Sequence, residues 1–172
     1  MGMIRIIFRY FGPPPPATHP HVPRDPEALV DVIRRMHEAL FAEAEPSFAG
    51  RFRLAGEEVR FGGDTSLRHE LRGEAPSSIH ARLIGLLPVL RLDAMRDMPR
   101  EELAHTLAMF LEDFFRIHPF VDGNGRIGRL FLEWLVFHES GRYRLRSLGH
   151  TRAYRKALQY AHMHAPRSER SR

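Results

Sequence analysis

Apolar residues recur every three or four positions along most of this chain, and the breaks in that rhythm divide it into elements. Leu29, Val30, Ile33, Met36, Ala39 and Leu40 keep helical spacing up to about Ala44. Asp25 stands where a cap belongs, Pro26 suits the first helical position, and Pro46 ends the helix. Phe52 and Leu54, then Val59 and Phe61, alternate instead. With Ala55-Gly56 between the two pairs and Gly62-Gly63 behind them, this stretch predicts a short β-hairpin. Residues 64–75 are polar and turn-rich and predict a loop.

Ser77 or Ser78 is set to cap a helix carrying Ile79, Leu83, Leu86 and Leu87, which Pro88 ends or kinks. Asp97, Pro99, Glu101 and Glu102 start a longer one, whose stripe of Leu103, Leu107, Phe110, Leu111, Phe114 and Phe115 is broad enough for a central, buried element. It should stop at His118, because Pro119 biases its predecessor away from helical geometry. A further helix opens after Gly125 and runs to about His138, using Leu130, Phe131, Trp134, Leu135 and Phe137, before Gly141 closes it. A last helix covers about His150 to His164 through Tyr154, Leu158 and Ala161. The predicted fold class is mainly α, with one small hairpin.

Composition adds bounds. At 172 residues the chain is one domain's worth, divided into an N-terminal arm and proline-rich linker (1–24), a domain (25–166) and a basic C-terminal tail (167–172). No apolar run is long enough to span a bilayer, and Arg5 and Arg9 interrupt the apolar opening stretch, so a cytoplasmic location is the expectation. The absence of cysteine excludes disulfides, thiolate zinc sites and cysteine nucleophiles. The net charge of +5 owes much to arginines after residue 140. No nucleic-acid motif accompanies them, so they read as a solvated basic face and nucleic acid is not an expected partner. His19/His21 and His162/His164 lack the helical spacing and the nearby carboxylates of a metal site.

Candidate chemistry is concentrated in His118-Pro-Phe-Val-Asp-Gly-Asn-Gly-Arg-Ile-Gly-Arg129. Gly123-Asn124-Gly125 lets backbone amides converge, since glycine tolerates the positive φ that an anion nest requires. These amides open a helix, where unpaired N–H groups and the helix dipole already favour an anion. Arg126 and Arg129, three apart, project toward that same anion. Asp122 beside phosphates is a fitting ligand for Mg²⁺. His118 can take a proton from an attacking hydroxyl near neutral pH. Together these residues suit phosphoryl or nucleotidyl transfer.

The segment resembles the signature of the Fic family, His-Pro-Phe-x-Asp-Gly-Asn-Gly-Arg-x-x-Arg, at every defined position. The resemblance extends more loosely from about Gly50 to Ala165. It implies a Fic-type helical bundle with a hairpin flap, near Arg51 to Gly62, that docks a target chain. It implies a protein adenylyltransferase that moves AMP from ATP onto a Ser, Thr or Tyr hydroxyl of a target protein, with Mg²⁺ as cofactor. His118 would be the general base and Asp122 the Mg²⁺ ligand. Gly123, Asn124 and Gly125 would line the hole for the α- and β-phosphates, and Arg126 and Arg129 would hold the outer phosphates. Phe120 would anchor the loop in the core.

Some members of the family transfer UMP, phosphocholine or phosphate. Those transferring phosphate, resembling Doc, typically carry lysine where this chain has Gly125, which favours AMP here. Many members also carry an inhibitory Ser/Thr-x-x-x-Glu-Gly/Asn helix. Its nearest counterpart is Ser66-Leu-Arg-His-Glu70, followed by Leu71 instead of Gly or Asn. A separate antitoxin-like partner, or no brake, therefore fits better than self-inhibition. The alternatives to AMP transfer are transfer of another nucleotide or phosphate group, or a non-catalytic nucleotide-binding module controlled by a partner.

Overall fold

A computed structural model describes residues 22–57, 59–61 and 71–139. The predicted last helix, residues 1–21 of the N-terminal arm and linker, the basic tail and the Ser66–Glu70 segment lie outside the described residues.

Helix α1 is Pro26–Phe41, with Asp25 accepting from the Ala28 N–H and Pro26 in the first turn. A cap of this kind contributes about 1 kcal/mol. The helix stops short of Ala44 because the N–H groups of Ala44 and Glu45 both turn back to the Phe41 carbonyl. Its inner face buries Leu29, Val30, Ile33, Met36, His37 and Phe41.

The hairpin predicted over residues 52–61 is not what the structure shows. Strand β1 (Arg60–Phe61) pairs antiparallel with β2 (Leu71–Arg72), Arg60 opposite Arg72 and Phe61 opposite Leu71. Part of the predicted loop is therefore strand, and residues 52–54 pair with neither. Local polar contacts hold that stretch. Both Arg51 guanidinium nitrogens meet the Glu57 carboxylate at 2.7 Å, and the same carboxylate takes the Leu54 N–H at 2.7 Å. Side-chain bonds of this sort draw backbone donors away from a ladder. The alternation is inverted as well: Arg53 is buried at 3% exposure while Leu54 is 57% exposed.

A 3₁₀ turn (Pro76–Ser78) leads into α2 (Ile79–Leu86). Ser78 does not cap it; its hydroxyl donates to the Ala75 carbonyl. Pro88 converts the chain to a second 3₁₀ turn, Leu87–Leu90, which ends at Arg91 in the left-handed region. Helix α3 is Arg100–Ile117 and begins at Pro99 instead of Asp97, because the first helical bond runs from Leu103 N–H to the Pro99 carbonyl. All six predicted stripe residues are buried. Helix α4 is Asn124–Glu139, and of its predicted apolar set only Phe137 is exposed.

Helix α3 packs against α2 and α4, and α1 closes the bundle over α2 and α4. Phe110, Phe114, Phe120 and Phe131 lie fully buried at its centre, with the Phe110 and Phe131 rings 5.6 Å apart. Gly128 permits the α3–α4 approach: a Cβ there would stand 3.1 Å from both Leu111 and Phe114. The mainly helical class is thus observed. Among the described residues, no helix is long and apolar enough to cross a membrane.

Candidate active site

The turn from His118 to Gly123 joins the carboxyl end of α3 to the amino end of α4, so one short connection presents two helix termini of opposite polarity. His118 is the C-cap of α3, left-handed at φ 51°, with its N–H on the Phe114 carbonyl. A histidine in this region is uncommon and costs on the order of 1 kcal/mol, so its surroundings must hold it. Its Nδ1 donates to the Phe115 carbonyl at 3.3 Å, which leaves the ring lone pair on Nε2. Burial lowers its pKa from 6.5 to about 4, against the Phe115 hydrogen bond; the charge of Arg53 lowers it further and that of Asp122 opposes. The imidazole is neutral, in its proton-accepting form, across the neutral range.

Asn124 ties the turn shut. Its Oδ1 accepts from the Phe120 N–H at 2.9 Å and its Nδ2 donates to the Phe120 carbonyl at 2.8 Å. The side chain is buried in this task, so what Asn124 offers a ligand is its main-chain amide. Phe120 is fully buried, as the anchoring role requires.

Only part of the glycine reading survives. Gly123 has φ 79°, and a Cβ there would come 2.4 Å from the Phe41 ring. Gly125 is different: it is already helical, its φ is not positive, and a Cβ would meet Arg129 Nη1 at 3.4 Å, an ordinary contact. The nest thus depends on one left-handed glycine followed by a helix start. Ile127 N–H bonds the Gly123 carbonyl, so the amides of Asn124, Gly125 and Arg126 have no intrahelical acceptor.

Asp122 is 64% exposed and bonded on both oxygens, to the Gly123 N–H and, at 2.8 Å, to Arg126. Arg126 also lies over the Phe41 ring, 4.6 Å from its centre. Arg129 folds back beside Gly125, along the first turn of α4. The residues singled out in the sequence therefore converge on one turn. Among the described residues no three His, Asp or Glu side chains gather as a metal cage. A single exposed carboxylate fits Mg²⁺, which commonly takes one or two carboxylates and completes its octahedron with waters and substrate phosphates.

Three residues that build the site escaped the sequence reading. His37 is fully buried between Phe41 and Phe120, with ring centroids 4.6 and 3.9 Å away. It accepts from the Gly50 N–H on Nδ1 and donates from Nε2 to the Asp122 carbonyl at 3.1 Å. Burial lowers its pKa to about 4, against the Asp122 carbonyl and charge, with Arg126 lowering it slightly more. Phe41 is both its stacking partner and the floor under Gly123 and Arg126. A signal for this pair existed, since His37 and Phe41 continue the buried face of α1 from Ile33 at four-residue steps. Arg53, the third, gave none: alternation assigned it to solvent.

The sequence model of the Fic/DOC family matches residues 28–136. No curated protein matches the chain. Among solved structures, the chain is similar to the BepC protein of Bartonella tribocorum, a VirB-translocated effector solved with bound AMPPNP. The TM-score is 0.55 at 20% identity, over 80% of this chain and 64% of that one. At that identity the likeness is one of fold, and this chain spans less than two thirds of that protein's length.

Proposed function

The chain belongs to the Fic/DOC family, and we propose that it transfers AMP from ATP to a Ser, Thr or Tyr hydroxyl of a target protein. The observation carrying this reading is the meeting of a neutral imidazole with the amino end of a helix across a six-residue turn. A base and an anion cradle so arranged suit in-line attack on a phosphorus atom.

In this mechanism the triphosphate lies across the start of α4, on the amides of Asn124, Gly125 and Arg126. Arg126 and Arg129 take the outer phosphates and aim the α-phosphorus at the base. The target hydroxyl loses its proton to His118 Nε2 as its oxygen bonds the α-phosphorus. The bond from that phosphorus to the bridging oxygen breaks, and pyrophosphate leaves. His118 then returns its proton to solvent, a step its low basicity favours.

Asp122 would hold Mg²⁺, which when bound neutralises phosphate charge in the transition state. The two Asp122 oxygens accept from the Gly123 amide and from Arg126 and would keep further lone pairs for the cation. The ATP-analogue complex of the BepC protein, similar in fold, supports ATP as co-substrate here. Gly125, in place of the lysine typical of phosphate-transferring relatives, supports AMP as the group moved.

The test is incubation with Mg²⁺, a cell lysate and ATP labelled at the α- or the γ-phosphate, with UTP and GTP alongside. Label retained from α alone is the expected result. Label from γ alone means phosphorylation, and label from neither, with His118→Ala indistinguishable from wild type, ends the transferase reading for those targets. Activity that appears only after removal of a co-purified small protein points to an inhibitor acting in trans.

A further inference from the structure

Arg53 is a charged side chain at 3% exposure, directed at backbone. Its Nε donates to the His118 carbonyl at 2.7 Å, and Nη2 to the carbonyls of Glu74 at 2.7 Å and Ile117 at 3.3 Å. Nη1 donates to the Glu57 carbonyl at 3.1 Å, and the Arg53 N–H to the Pro119 carbonyl at 3.0 Å. A buried cation is costly unless every donor is answered. Here two of the four acceptors are the carbonyls of Ile117 and the C-cap His118, at the negative end of the dipole of an 18-residue helix.

Two groups of contacts meet in this one guanidinium. Glu57 and Glu74 lie at the two ends of the segment that contains β1 and β2. Ile117, His118 and Pro119 form the turn that carries the base. The two are stitched again by Glu74 N–H on the Ile117 carbonyl at 3.2 Å. Gly73 allows the close passage: a Cβ there would stand 2.7 Å from Arg53 Nη2 and 3.0 Å from His118 Cβ.

We infer that Arg53 is a positioning residue for the transfer reaction, clasping both ends of the strand segment to the left-handed turn that aims His118. The inference rests on the adenylyltransferase reading for its kinetic consequence, though not for its structural one. A planar fork is needed because its donors diverge toward different carbonyls; a lysine ammonium in the same space is a point donor and cannot span them. The phosphate cradle, whose turn Asn124 and His37 hold, lies outside the clasp. Loss of Arg53 should therefore damage turnover much more than nucleotide binding.

The experiment uses the full chain with Arg53→Lys and, separately, Gly73→Ala, which keeps the arginine but crowds it. Three quantities are read: kcat and KM with labelled ATP and target, the ATP dissociation constant, and the long-range ¹H–¹⁵N signature of the His118 ring. Arg53→Lys is expected to lower kcat by about 10- to 100-fold, the scale of a misplaced reacting group. ATP affinity should change less than about threefold, and the single Nδ1–H tautomer should give way to a mixture. Gly73→Ala should shift the same readouts in the same direction, and Arg53→Gln, which leaves the surroundings of His118 uncrowded, decides the matter if the lysine variant does not fold. Unchanged kcat with an unchanged ring signature overturns the inference. So does loss of ATP affinity in parallel with kcat, which marks a general structural role. If the wild type transfers nothing, the adenylyltransferase reading fails by itself, and the ring signature still decides whether Arg53 positions His118.

Discussion

Two neutral histidines stand at opposite sides of the same turn, and burial has lowered both to a pKa of about 4. Their hydrogen bonds separate them. His37 has both ring nitrogens engaged by backbone, Nδ1 with the Gly50 amide and Nε2 with the Asp122 carbonyl, and both ring faces covered by phenylalanines. His118 donates its Nδ1–H to the Phe115 carbonyl in its own turn, which makes Nε2 the accepting nitrogen. One imidazole is a strut and the other is the base of the proposed transfer, although their titration is alike. A lowered pKa alone therefore does not mark a reacting group.

Replacing each histidine should split function from stability. His118→Ala is expected to cut transfer by roughly 10²- to 10⁴-fold, the worth of a general base, while changing unfolding free energy by about 1 kcal/mol or less. His37→Phe preserves stacking but strands a buried amide and a carbonyl. It should cost about 2–4 kcal/mol in denaturant unfolding, with the surviving folded enzyme still active. If His37→Phe abolished turnover at full stability, the strut-and-base distinction would collapse.

The glycines sharpen the same contrast on the cradle side. Gly123→Ala combines φ 79° with a Cβ 2.4 Å from the ring that stacks on His37. A loss of about 2–3 kcal/mol in chemical denaturation is expected. Gly125→Ala sits in helical geometry without a clash, and should gain up to about 1 kcal/mol in the same measurement.

Acid separates the two rings by readout. Each has a folded pKa below 6.5, so between that value and about 4 the unfolded chain binds more protons, and stability falls as pH drops through this window. The acid slope attributable to the strut should disappear in His37→Phe. For activity, a base of ordinary pKa would lose about tenfold in kcat/KM by a pH of about 5.5, whereas His118 should lose less than about twofold there. A kcat/KM midpoint near 6.5 would show that the base is not held neutral. The smallest effect concerns Phe41→Leu, which removes the ring beneath Arg126. A rise in nucleotide KM of about two- to fivefold is expected from a lost exposed cation–π contact.

The helices were legible because burial of an apolar face imposes a period that any reader of the sequence can count. The stripe of α3, the Asp25 cap and the stop at His118 all follow from interactions within a few residues. Misplaced edges had local causes too: Ser78 turned its hydroxyl to Ala75, and the Arg51–Glu57 pair kept residues 52–54 out of the sheet. The candidate groups were likewise legible as a cluster, since His118, Asp122, Gly123 and the two arginines lie within twelve consecutive positions and need only one turn to meet.

What supports them was not. His37 reaches Asp122 across 85 positions and Arg53 reaches His118 across 65, and no periodicity links residues so far apart. Gly125 illustrates the converse, since the Gly-Asn-Gly run suggested a second nest glycine where the fold has a helix start. The sequence by itself determined the helices of the described residues and the clustering of the candidate side chains, because those depend on short-range spacing. Only the tertiary structure decided which polar residues are buried as struts, because their hydrogen-bond partners come from chain segments that folding alone brings together.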